Sequence, residues 1–454
     1  MDINKIKSVY FIGIGGIGMS ALARYFVNIG KAVAGYDKTP TQLTDELMAA
    51  GIAIHFSDDV AQIDDAFRDP ETTLVVVTPA VPKEHSEWNY FIAHKFLIQK
   101  RAEVLGIITK DSYCFAVAGT HGKTTTSSIL GHILYQSGLD VTAFLGGIVE
   151  NYQTNLIGEG KSVTVVEADE FDRSFLKLYP NMACITSTDA DHLDIFGTQE
   201  EMLVSFSDFA AKITDKTKFF RTPQVQLEGQ TVAVLEAADF QAVHIRIVEG
   251  WYVFDIKTPV ETVADIRFAL PGHHNISNAL LAFAMAYTYG VPTAKIKAAL
   301  ESFQGVRRRF SYKVRTPELV YIDDYAHHPT EINAVFQAVS ERYSGRKVLA
   351  VFQPHLYSRT RDFMDEFAQS LSQFEQVALL DIYPARELPI PGITSQVLLD
   401  KITAKTKTVV AKGDLIDFIA NADADVIVTI GAGDIGEEVT AIKQAIERRL
   451  NEIK

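Results

Sequence analysis

Cysteine is almost missing from this chain: Cys114 and Cys184 are the two that occur, each inside an apolar, strand-like run. A disulfide framework and a thiolate metal site are thereby excluded, and a reducing, cytoplasmic compartment is expected. Long apolar runs are missing too, so no membrane insertion is predicted. The opening Met1-Asp2-Ile3-Asn4-Lys5-Ile6-Lys7 has no apolar core behind a basic start, which predicts a soluble, unexported protein. Nor is there a surplus of positive charge. With 57 acidic and 43 basic residues the formal net charge is −14, which repels a polyanion and argues against nucleic acid as a partner. A local basic pocket for small phosphorylated ligands stays compatible with that balance. Internal repeats, low-complexity tracts and coiled-coil heptads are not found.

What is present is ample apolar sequence, 47% of 454 residues, in a chain longer than one hydrophobic core usually organises. β-rich runs (Ser8 to Gly13, Lys31 to Tyr36, Thr73 to Val77) alternate with helical patterns, the signature of a parallel sheet with crossover helices. A second cycle starts at Tyr113-Cys114-Phe115-Ala116-Val117-Ala118. A third opens at Leu319-Val320-Tyr321-Ile322, after the basic Gln304-Gly305-Val306-Arg307-Arg308-Arg309-Phe310. The reading is three α/β domains in series, 1–111, 112–313 and 314–454. The stretch from about Lys216 to Phe268 is β-rich and reads as a potential antiparallel insertion.

Two glycine loops carry the chemistry. Gly13-Ile14-Gly15-Gly16-Ile17-Gly18 follows a strand, opens a helix, and precedes Asp37 at the end of the next strand, a dinucleotide fingerprint. Its physics is less selective, because glycines that let a backbone approach a pyrophosphate suit any nucleoside diphosphate, or serve only a tight turn. Gly119-Thr120-His121-Gly122-Lys123-Thr124-Thr125 is a shortened relative of the P-loop. Its backbone N–H groups would cradle the phosphates of a nucleoside triphosphate, Lys123 would neutralise charge on the β- and γ-oxygens, and the Thr124 hydroxyl would ligate Mg²⁺. His121 reads equally as spacer or participant.

A metal needs further oxygens. The strand Ser162 to Val166 ends in Glu167-Ala168-Asp169-Glu170-Phe171-Asp172, with Glu167 the first choice as magnesium ligand. A second acidic cluster, Asp189-Ala190-Asp191-His192-Leu193-Asp194, follows the strand Met182 to Thr186, although histidine is an unusual ligand for so hard a cation.

Taken together these residues resemble the Mur ligase family, ATP-dependent amide-forming enzymes of peptidoglycan synthesis, along essentially the whole chain. The shortened P-loop stands at Gly119 to Thr125, the metal-binding acid at Glu167 and the second-metal histidine at His192. The adenine-binding motif stands at Gly272-His273-His274-Asn275-Ile276-Ser277-Asn278 and the hinge Arg-Arg-Phe at Arg308-Arg309-Phe310. The block Asp323-Asp324-Tyr325-Ala326-His327-His328-Pro329-Thr330-Glu331 is intact. The resemblance implies a Rossmann-like N-terminal domain, a central P-loop-type ATPase domain with a mostly parallel sheet, and a Rossmann-like C-terminal domain. It implies ATP and Mg²⁺ (with Mn²⁺ as an alternative) at Gly119 to Thr125, His274, Asn275, Asn278, Arg309 and Asp324, with Thr124, Glu167 and His192 as metal ligands.

Within the family, Gly13 to Ser20, Phe352-Gln353-Pro354-His355 and Pro389-Ile390-Pro391-Gly392 are most similar to the branch that joins L-alanine to UDP-N-acetylmuramate. Gly15, Gly16, Ile17, Asp37 and Thr78 then become contacts of the UDP-sugar, and His355 and Arg359 contacts of the amino acid. Two departures stand out: Leu356 replaces an arginine usual in that branch, and no lysine lies between Glu200 and Phe206 to be carbamylated. The implied reaction runs through an acyl phosphate, with Lys123, His192 and Arg309 in the chemistry and His328 as the base for the incoming ammonium. Rival readings are a ligase that recycles a preformed peptide onto the same sugar, an NAD-dependent oxidoreductase resting on the first loop, and a non-enzymatic nucleotide switch. Monomer and homodimer are both compatible.

Overall fold

The computed structural model describes residues 3–189, 198–385 and 387–452. Its first sheet is β1 (Ser8–Ile12), β2 (Ala32–Tyr36), β3 (Ala53–His55), β4 (Thr73–Val77) and β5 (Leu97–Lys100), in the order β3-β2-β1-β4-β5 with every pairing parallel. That is the order of a Rossmann half. Both faces are covered, and the residues alternate accordingly. Val9, Phe11, Leu74 and Val76 enter one core, while Tyr10, Ile12, Val75 and Val77 enter another on the opposite face.

The central sheet has ten strands: β6 (Tyr113–Ala118), β7 (Val141–Val149), β8 (Thr154–Ile157), β9 (Val163–Glu167), β10 (Met182–Ile185), β11 (Phe219–Arg221), β12 (Gln230–Val234), β13 (Phe240–Val248), β14 (Trp251–Lys257) and β15 (Thr262–Phe268). Their order is β15-β14-β13-β12-β11-β10-β6-β9-β7-β8. The expectation of an antiparallel insertion is corrected for its first strands: β11, β12 and β13 continue the sheet in parallel register from β10. Apolar alternation marks a half-buried strand but carries no information about its direction.

The first sheet and the central sheet share a core. The helix Ile17–Asn28 packs toward β7 and β8, with the Tyr25 ring 5.3 Å from Phe144. Fully buried Asn155 of β8 donates to the Ile17 carbonyl at 2.6 Å, tying the first glycine loop to the central sheet.

The third sheet is β16 (Ser311–Arg315), β17 (Val320–Asp324), β18 (Val348–Phe352), β19 (Gln376–Leu379), β20 (Thr406–Val409) and β21 (Val426–Ile430), ordered β16-β17-β21-β18-β19-β20. β16 is its antiparallel edge and the other pairings are parallel. By compactness the chain forms two units. One holds the residues up to Arg246 with Val253–Phe268 and Ser277–Phe303; the other holds Ile247–Tyr252, Ala269–Ile276 and the chain from Gln304 onward.

Candidate active site

The second glycine loop leaves β6 and opens the helix Lys123–Gln136, and its glycines are required by both space and backbone. Gly119 has φ +127°, and a Cβ there would lie 2.1 Å from Thr186 Oγ1. Gly122 caps the helix at φ +84°, where a Cβ would lie 2.6 Å from Asn278 Oδ1. The loop is braced against the end of β10. Thr120 Oγ1 and the His121 N–H meet Ser187 Oγ at 2.8 and 2.9 Å, and Thr186 Oγ1 donates to the His121 carbonyl. Thr126 donates to Asn278 Oδ1 at 3.1 Å, so Asn278 grips the loop from the helix His273–Tyr289. Thr125 faces the interior, 5% exposed.

Lys123 turns its ammonium back over this loop, donating to the Gly119 carbonyl at 2.5 Å and to Glu170 Oε1 at 2.9 Å. Burial opposes the charged form, but Glu170, Asp169 and Glu167 outweigh it and hold Lys123 above its ordinary pKa. Thr124 donates to Glu167 Oε1 at 2.9 Å, and the other Glu167 oxygen accepts the Gly146 N–H at 2.9 Å. A Cβ on Gly146 would fall 2.3 Å from that carboxylate, so a larger residue there would push the Glu167 side chain aside. A hydroxyl and a carboxylate so arranged present two hard oxygens, a set that suits Mg²⁺. His192 lies outside the described residues, and among the described residues no group of three His, Cys, Asp or Glu forms a metal site.

Glu167 also faces the first loop. A cavity of about 240 Å³ is lined on one side by Gly16, Ile17, Gly18, Thr78 and Arg101, and on the other by Gly146, Glu167 and Asp169. In that first loop Asp37 accepts the Gly15 N–H at 2.7 Å and the Thr39 N–H at 3.2 Å. Thr78, at the end of β4, packs under Gly13, whose φ is +89°.

In the second unit, the end of β17 is a charged cluster. Asp323, fully buried, accepts from Thr429 at 2.9 Å and from Arg308 at 3.2 Å; Arg308 also donates to the Gly431 carbonyl at 2.6 Å. Asp324 accepts the Phe310 and Ala326 N–H groups, each at 2.7 Å. Burial pushes Asp324 up to about 6 against the lowering effect of Arg309, whose guanidinium lies 5.2 Å from the Tyr325 ring centre. On the same helix as Asn278, His274 is held down to about 4 by burial, while Asn275 ties back to the Pro271 carbonyl at 2.7 Å.

His328 caps the helix Pro329–Arg342 by accepting the Thr330 N–H, and its ring packs on Phe363 at 4.7 Å. Its neighbour His327 instead faces His355 at 6.2 Å. His355 stacks on Tyr383 at 5.7 Å and lies 3.3 Å from an Arg359 nitrogen. Leu356 sits between them in chain order at φ +70°, a backbone strained for any side chain but glycine, and is 8% exposed. Motif reasoning passes over Glu170, Arg101 and Tyr383. Glu170 stands in the acidic run after β9, where a signal exists, whereas Arg101 and Tyr383 belong to no pattern that spacing marks.

Comparison with known proteins matches the Mur ligase family catalytic domain over residues 8–113, the Mur ligase middle domain over 117–286 and the Mur ligase glutamate ligase domain over 308–433. The UDP-N-acetylmuramate–L-alanine ligase of Flavobacterium psychrophilum is 64% identical over 99% of this chain and 100% of its own length. That of Porphyromonas gingivalis is 48% identical over 97% of this chain and 99% of its own. Among solved structures, the UDP-N-acetylmuramate-alanine ligase of Thermotoga maritima superposes with TM-score 0.83 at 26% identity, covering 98% of this chain and 100% of that one. A murein peptide ligase of Psychrobacter arcticus, 23% identical with TM-score 0.72 over 97% of this chain and 98% of its own, shares the fold. With all three domains matched in order along a loop, a lysine and a carboxylate set of this geometry, the chain belongs to the Mur ligase family.

Proposed function

We propose that this chain is an ATP-dependent ligase that joins L-alanine to the lactyl carboxylate of UDP-N-acetylmuramate in peptidoglycan precursor synthesis. The observation that carries this reading is a cleft with the first glycine loop on one wall and, on the other, Glu167 and Asp169, two of the carboxylates that act on Lys123. A sugar nucleotide anchored on one wall delivers its carboxylate to phosphoryl chemistry on the other. The identity with the Flavobacterium relative supports the choice of substrates.

In this mechanism a lactyl carboxylate oxygen attacks the γ-phosphorus of ATP, and the bond to the β-bridging oxygen breaks to release ADP. The amino group of alanine then attacks the acyl carbon, phosphate leaves, and the nitrogen gives up its proton to a base. A carboxylate is a poor acyl donor, so the first step makes the second feasible. The Gly119 to Thr125 backbone holds the phosphates, and Lys123, kept charged by Glu170, offsets repulsion between the two anions. Thr124 and Glu167 would hold Mg²⁺, which supplies further charge neutralisation when bound. The family motif assigns His192 to that metal as well.

The proposed division is UDP-sugar on 1–111 through Gly15, Gly16, Ile17, Asp37 and Thr78, ATP on 112–313, and the amino acid on 314–454. His274, Asn275, Asn278, Arg309 and Asp324 are assigned to the nucleotide, with Asn278 acting through the loop it grips. Asp37 acts by fixing Gly15. His355 and Arg359 take the alanine carboxylate. The proton-accepting role stays with His328, whose Nδ1 accepts the Thr330 N–H at the helix start, with His327 in the His355 cluster as the neighbouring candidate. The deciding assay is phosphate release with UDP-N-acetylmuramate and L-alanine, glycine, L-serine or the cell-wall tripeptide. L-Alanine should dominate; activity confined to the tripeptide would overturn the reading in favour of a recycling ligase.

A further inference from the structure

Arg101 follows β5 directly and begins the helix Arg101–Lys110, and neither glycine motif includes it. Its guanidinium lies on the first turn of the helix Ile17–Asn28. A Cβ on Gly18 would stand 2.6 Å from its Nη1 and 3.0 Å from its Cζ. From the far wall of the cleft Asp169 accepts from Arg101 Nη2 at 3.3 Å. Among the described residues that line this cleft, Arg101 is the one cation, facing two carboxylates, Glu167 and Asp169.

Two of the glycine loop's own N–H groups are already engaged. The Gly15 N–H is already given to Asp37 at 2.7 Å, and the Gly16 N–H points to the Gly13 carbonyl at 3.4 Å. Gly16, which caps the helix, brings no side-chain acceptor or charge to it. An anionic ligand entering a space that already holds two carboxylates needs a fixed positive group, and a planar guanidinium that keeps one face on a glycine and one edge on a carboxylate is oriented to offer its remaining N–H groups.

We propose that Arg101 is a binding residue for the anionic part of the sugar nucleotide, its diphosphate or its lactyl carboxylate, and that Asp169 and Gly18 are the positioning residues that aim it. This rests on the proposed function above. Gly18 is glycine on this account because a methyl group would push the guanidinium off the helix, not because the backbone demands it.

The test measures equilibrium binding to the full-length protein without ATP, using UDP-N-acetylmuramate and UDP-N-acetylglucosamine, which lacks the lactyl carboxylate. Wild-type protein that binds neither would overturn the functional reading itself. Given binding, Arg101→Ala should weaken UDP-N-acetylmuramate on the order of tenfold or more, Arg101→Lys less, with ADP affinity unchanged as a control for folding. A parallel loss for UDP-N-acetylglucosamine assigns the diphosphate; a loss confined to UDP-N-acetylmuramate assigns the carboxylate. Gly18→Ala provides the second arm, since alanine suits a helix and should preserve the fold while displacing the guanidinium. UDP-N-acetylmuramate affinity within twofold of wild type in folded Arg101→Ala, or in Gly18→Ala should Arg101→Ala fail to fold, overturns the inference.

Discussion

The two glycine loops begin alike, with a buried strand, a left-handed glycine and a helix, yet they differ in the residues just after the last glycine. At Gly13 to Gly18 the next residues are Met19 and Ser20, and the nearby acid Asp37 is turned onto the loop's own N–H. At Gly119 to Gly122 the next residues are Lys123 and Thr124, each bonded to a carboxylate. Each region also buries a glutamate completely. Glu170 meets an ammonium, whereas Glu87 meets the Tyr10 hydroxyl at 2.8 Å and the His55 ring at 3.3 Å. On the proposed reading the first loop's glycines hold phosphate, and the paired cation and carboxylates of the second make a place where phosphate can react.

Lys123→Ala should break this contrast most severely, lowering ADP formation on the order of a thousandfold or more while UDP-N-acetylmuramate affinity stays within a few-fold. Stability should also fall, because Glu170 is left buried without its cation at a cost of roughly 3–5 kcal/mol. Lys123→Ala with Glu170→Gln should recover most of the melting temperature and none of the turnover. Recovered turnover in that double variant would show that the lysine serves only the fold. Thr124→Val keeps the shape and removes the oxygen, and should cost about a hundredfold in kcat and raise the Mg²⁺ requirement. An unchanged Mg²⁺ titration would remove Thr124 from the metal site.

In the first loop the expected effect is smaller and of another kind. Gly15→Ala would place a Cβ 2.8 Å from Asp37 Oδ2 and 2.9 Å from Thr44 Cγ2. Asp37 must give way and release the Gly15 N–H, or the loop must shift, so KM for the sugar nucleotide should rise about tenfold with kcat nearly kept. A matching fall in kcat would mean that this loop takes part in the chemistry.

Why the sequence disclosed some of this and not the rest is visible residue by residue. Strands such as Tyr113 to Ala118 are legible because a doubly covered parallel strand is a continuous apolar run. The second loop is legible because its glycines and lysine are consecutive in sequence. Glu170 is harder to pick: four residues, Glu167 to Glu170, present three acids, and spacing cannot tell which meets Thr124 and which meets Lys123. Arg101 is unreadable for a different reason, since its significance comes from Gly18 and Asp169, 83 and 68 positions away in the chain. Leu356 looks like a lost cation in sequence; the backbone at φ +70° and its burial show a position with a structural demand of its own.

The buried glutamates offer the finest test, through stability instead of turnover. Burial raises Glu87 from its ordinary value to about 7, against the lowering effect of its bonds from Tyr10 and the Asp59 N–H. His55, itself lowered by burial, brings no positive charge near neutrality. A carboxyl whose folded pKa exceeds its unfolded one binds more protons folded than unfolded between the two values. Its contribution is therefore full below the unfolded pKa, near 4.5, and is lost as pH rises through about 7. Unfolding by urea at pH 5 and pH 8 should show a decline on the order of 2 kcal/mol from this group. Glu87→Gln should flatten that decline and leave the amide-forming reaction alone. An equal decline in the variant would mean that Glu87 stays ionised beside Tyr10, and the contrast with Glu170 would then lie in partner geometry and not in charge.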